Sequence, residues 1–77
     1  MDDAPRPSAD LQFDRLRHML TDAAGAASLY CGIIADYAHL GDVGGVNYAT
    51  QQFVAQARII ASVHNAMLIA IDHKEDK

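Results

Sequence analysis

The ten residues HLGDVGGVNY, positions 39–48, decide how this chain folds. Within them GDVGG is turn chemistry, and Gly41 suits the position just past a helix end, where the backbone turns left-handed. On either side the apolar residues alternate at spacings of three and four. Before the turn they are Phe13, Leu16, Leu20, Ala23, Ala27, Tyr30, Ile34 and Tyr37; after it, with Gln56 the one polar member, Val46, Ala49, Phe53, Gln56, Ile60, Val63, Met67 and Ala70. That spacing is a heptad seam running along one face of an α-helix. A short connection makes two such helices antiparallel neighbours. The expected fold is all-α: a two-helix antiparallel hairpin with helix 1 at about 9–40, a loop at 41–46 and helix 2 at about 47–72. Asp42 or Asn47 suits the cap of helix 2. Residues 1–8, with both prolines, read as a disordered N-terminal tail, and 73–77 as a polar C-terminal tail.

Length limits what such a hairpin can do alone. Seventy-seven residues make one domain, in the range where a single core needs a disulfide, a metal or oligomerisation as support. The one cysteine, Cys31, cannot close an intrachain bridge, and no CxxC pair offers zinc. Oligomerisation is the remaining support. The seams are also too widely flanked by apolar residues for two helices to cover. Met19, Ala24, Ala26, Ile33, Ala38 and Leu40 widen the first; Val54, Ala57, Ile59, Ala61, Ala66, Leu68, Ile69 and Ile71 widen the second. Only Gln51, Arg58, Asn65 and Asp72 draw a polar line along helix 2. A second hairpin is the economical cover, giving a homodimeric four-helix bundle.

The formal net charge of −4, from six Lys and Arg against ten Asp and Glu, argues against a phosphate-backbone partner. Polar residues interrupting helix 2 argue against a membrane span. The acidic start MDDAPRPSAD is unlike a secretory signal, and a lone cysteine fits a reducing compartment, so the expected location is the cytoplasm.

Candidate sites are few. Gly25 and Gly32, with Thr21, Ser28 and Ala35, form a stripe of small side chains on helix 1 where another helix could pack closely. Tyr30, Tyr37, Phe53, Ile60, Met67, Leu68 and Ile71 complete the expected interaction surface, tyrosines being rigid amphipathic contacts. His64 flanks the second seam and is expected to be at least half buried. It is either a core histidine with satisfied ring nitrogens or a switch titrating at about pH 6. Cys31 beside the first seam is expected to be buried and inert. Asp36, His39 and Asp42 share a helix end, and His18 lies between Asp14 and Asp22, but neither group has the Glu-x-x-His pattern of metal-binding bundles. No catalytic, metal or cofactor residues are assigned.

These features point to a non-catalytic protein-interaction module: a homodimeric helical hairpin that binds and modulates a larger protein, such as a bacterial regulator, by sequestering or inhibiting it. An RNA- or DNA-binding hairpin dimer is the first alternative. A metal- or pH-responsive helical bundle is the second.

Overall fold

The computed structural model describes residues 9–75, with side-chain environments over 11–72. It is all-helical. Helix α1 spans Ala9–Leu40 and helix α2 spans Val43–Glu75, and the two pack against each other. At 1.5 Å per residue each is about 50 Å long. The connection between them is only Gly41 and Asp42, which sends α2 back alongside α1.

Those two residues do the work of a loop through hydrogen bonds. Gly41 has φ of 73°, the left-handed conformation that side chains disfavour by about 1–2 kcal/mol. Its N–H donates to the Ala38 carbonyl at 3.1 Å, and the Asp42 N–H donates to the Tyr37 carbonyl at 2.9 Å. This pair of bonds is a Schellman motif, which satisfies carbonyls that the end of α1 would otherwise leave open. Asp42 then caps α2: its Oδ1 accepts from the Gly45 N–H at 2.9 Å, and its carbonyl accepts from Val46 at 3.0 Å. Asp42, not Asn47, is therefore the cap.

The expected loop at 41–46 is corrected accordingly. Helix α2 begins at Val43, not near residue 47, because a capping aspartate can start a helix even through two glycines. Helix α2 also runs on to Glu75, past the expected end at 72. The tail expected at 1–8 and the last two residues of the C-terminal tail lie outside the described residues.

Gly45 has a second reason to lack a side chain. A Cβ there would lie 2.5 Å from Tyr37 Cγ and 2.6 Å from Cε1, so the ring packs directly on the α2 backbone. Gly45→Ala should therefore destabilise the hairpin by about 1–2 kcal/mol despite the better helix propensity of alanine, since overpacking outweighs it. Gly44→Ala, whose nearest neighbour would be Asp42 Oδ1 at 3.7 Å, should not. Equal urea midpoints for the two variants would show that the Tyr37 ring is not held in place.

All the seam positions named from the sequence are buried or half-buried. The innermost side chains are Ala23, Ala27, Ala49 and Val63, with Ala49 at 0% exposure. Small residues at the closest points let the helix axes approach without voids. The resulting core is thin. Across the long axis the molecule measures 22 × 13 Å, a slab two helices wide and one helix thick. Its accessible surface of 5693 Å² exceeds the roughly 4,600 Å² of a compact monomer of this mass, as befits an elongated single layer.

Candidate interaction surface

A two-helix pair covers only the seam of each helix, so the positions beside the seams decide what the molecule shows to its surroundings. In an antiparallel pair, the residues just before the seam positions in both helices fall on the same side of the slab, and those just after fall on the other. On the first side, α1 contributes Met19, Ala26, Ile33 and Leu40, and α2 contributes Gln52, Ile59 and Ala66, each row at a spacing of seven. On the second side, α1 contributes Arg17, Ala24, Cys31 and Ala38, and α2 contributes Thr50, Ala57, His64 and Ile71.

The two sides differ in chemistry. From Met19 to Leu40 and from Gln52 to Ala66 these rows of the first side carry no charge, and bulky side chains there stay in water: Met19 is 46% exposed, Leu40 75% and Ile59 42%. Leu29, Tyr48 and Ile69, also exposed, extend that side outward. The second side carries Arg17, which pairs with Asp14 at 3.4 Å, and His64. Both members of that ion pair are solvent-exposed, so it adds little stability.

The sequence-derived surface is divided by the structure. Tyr30, Tyr37, Phe53, Ile60 and Met67 lie half-buried along the seam between the helices. Gly25, Ser28 and Gly32 are exposed on α1, and a Cβ at Gly25 or Gly32 would meet nothing within 4 Å. Leu68 and Ile71 are exposed on α2. The sequence reading named most of the first-side residues as a general widening of the seam but did not sort them by side, and it passed over Leu29. The signal that separates them is the spacing of seven, read relative to the seam.

Two burial expectations are corrected. His64 is exposed, so in the hairpin the imidazole lacks the burial on which a switch would depend. Cys31 is exposed as a free thiol. Both sit beside the seam, where only a further layer of protein would cover them.

Among the described residues no cluster of three or more His, Cys, Asp or Glu is arranged to hold a metal ion. Residues Val43–Asp72 of α2 form a stretch long and apolar enough, by length and composition, to cross a membrane. Along that stretch Gln51, Arg58, Asn65 and Asp72 keep their exposed polar line, and the Gln51 amide donates to Asn47 Oδ1 at 3.4 Å near its start. The chain matches no protein-family model, no curated protein and no solved structure.

Proposed function

We propose that this chain is a non-catalytic protein-interaction module, a hairpin that pairs with a second copy into a four-helix bundle and binds a larger protein to sequester or inhibit it. The observation that carries the reading is the exposed apolar surface of a slab one helix thick. Leu29, Leu40, Leu68 and Ile69 are each more than half exposed, and they lie on both arms. Isolated monomers keep contiguous apolar patches to a few hundred Å², and larger ones mark protein contacts. Amphipathic helical surfaces of this kind dock against grooves or other helices.

Three features support a protein partner over the other classes. Among the described residues the basic side chains Arg15, Arg17 and Arg58 are scattered, and Arg17 is paired with Asp14, so no continuous cationic stripe faces a phosphate backbone. The polar line of α2 would set an arginine and an aspartate against lipid in a lone membrane span, which is costly. A slab without a second layer offers little concave space from which to exclude water around a reaction. On this reading the protein works in the cytoplasm and uses no metal or cofactor.

The test is co-purification from the source cell, followed by reconstitution of the captured protein with purified hairpin. A stoichiometric complex that lowers the activity of the captured protein is expected. A reconstituted mixture that elutes as separate species, or a shift on RNA or DNA that weakens with salt, would overturn the reading.

A further inference from the structure

Resting on the proposed self-association, we infer that the second copy packs on one particular side of the slab, the uncharged side formed by Met19, Ala26 and Ile33 of α1 and Gln52, Ile59 and Ala66 of α2. The opposite side, with Arg17, Cys31 and His64, stays open.

The periodicity makes the case first. A helix that touches one neighbour needs two apolar positions per heptad, whereas a helix in the core of a bundle needs three. Both helices supply the third position, and both place it on this same side. The opposite side breaks the pattern with Arg17 and Thr50 near its two ends and His64 between them. A surface repeating every seven residues on two antiparallel rods fits a partner with the same period and the same supercoil, and the chain itself is such a partner.

Area is compatible with this. The uncharged row of α1 runs from Met19 to Leu40, about 33 Å, and two helix axes 8–10 Å apart give a width of about 20 Å. The footprint is then about 650 Å² per copy, at the lower end of the roughly 600–1,000 Å² per partner of stable complexes. The face is also built like an interface core. Ile59 sits halfway along α2 and Ala26 lies near its level on α1 without a charge between them, while Asp22 and Asp36 stand on the outer edge. Apolar centre and polar rim are the usual division. Because a two-fold contact uses the same patch on both copies, a face whose centre carries no charge is self-complementary without any charge pairing.

Cys31 provides a native reporter, since it lies on the side assigned as open. The experiment combines light scattering after size exclusion with alkylation of Cys31 by a thiol reagent in the native protein. The wild type is expected to be a dimer whose Cys31 reacts at least about half as fast as in denaturant. Ile59→Lys should weaken the dimer by a hundredfold or more, while Leu68→Lys, on the Cys31 side, should leave it within threefold. A wild-type dimer in which Cys31 is protected more than tenfold, or which Leu68→Lys disrupts and Ile59→Lys does not, would place the contact on the other side and overturn this inference alone. A wild type that is monomeric at every concentration, or monomeric in buffer and bound to phosphatidylcholine vesicles, would overturn both the face and the self-association beneath it. Should Ile59→Lys lose its helical signal, the wild-type thiol reaction still decides.

Discussion

Val63→Asp abolishes the cooperative helical fold at 25 °C. Val63 is one of the four most buried hydrophobic side chains and is 4% exposed. An aspartate there would lie in the apolar seam between the helices with no partner of opposite charge, and an unpaired buried charge costs several kcal/mol even after relaxation. At typical stabilities per residue the whole chain has about 4–12 kcal/mol to lose. Asn65→Asp, two residues on and exposed, is the control, and surface changes of that kind stay within about 0.5 kcal/mol. Far-UV circular dichroism through a thermal melt reads both. A Val63→Asp protein that keeps its ellipticity and melts within a few degrees of wild type would mean that the seam is not where the two helices meet.

The opposite sign is expected at the glycines of α1. Gly25 and Gly32 sit in the interior of a long helix, exposed, with open space where a Cβ would go. Each costs about 1 kcal/mol relative to alanine, so Gly25→Ala with Gly32→Ala should stabilise the protein by about 2 kcal/mol. In a domain of this size that corresponds to a rise of roughly 8–16 °C in Tm. The double variant also separates two uses of the small-residue stripe. Where the stripe is simply solvated, stability rises and the size in solution is unchanged. Were another helix seated against those glycines, the methyl groups would intrude, and the variant would lose stability or drop to a smaller species.

The hairpin was legible because one signal, apolar spacing of three and four, persists along both arms without a break. Sequence and structure agree at each seam position from Phe13 to Tyr37 and from Val46 to Ala70. The disagreements have local physical causes. Gly44 and Gly45 look like loop residues by composition, but they occupy the first turn of α2, where Asp42 supplies the cap and Tyr37 requires the space. His64 and Cys31 were expected to be covered because they neighbour the seam. Two rods cover only what lies between them, and a residue one position off the seam faces outward until something is laid across it. The side of the slab on which each flanking residue falls was present in the sequence too, but it emerges only when both helices are read with the same phase and opposite direction. A partner's identity leaves no such trace, since apolar helical faces are alike whatever they dock against.

The two-residue connection between the helices has a consequence for how the surface of this protein can vary. Most proteins vary their specificity in surface segments that tolerate insertions while the scaffold stays fixed. Here the backbone N–H of Asp42 closes one helix and its carboxylate opens the next, so even a single added residue would uncouple two terminations at once. Among the described residues no such segment is free to lengthen. Variation at this end has to be written in substitutions along the rods themselves, at positions whose spacing is already dictated by the helix.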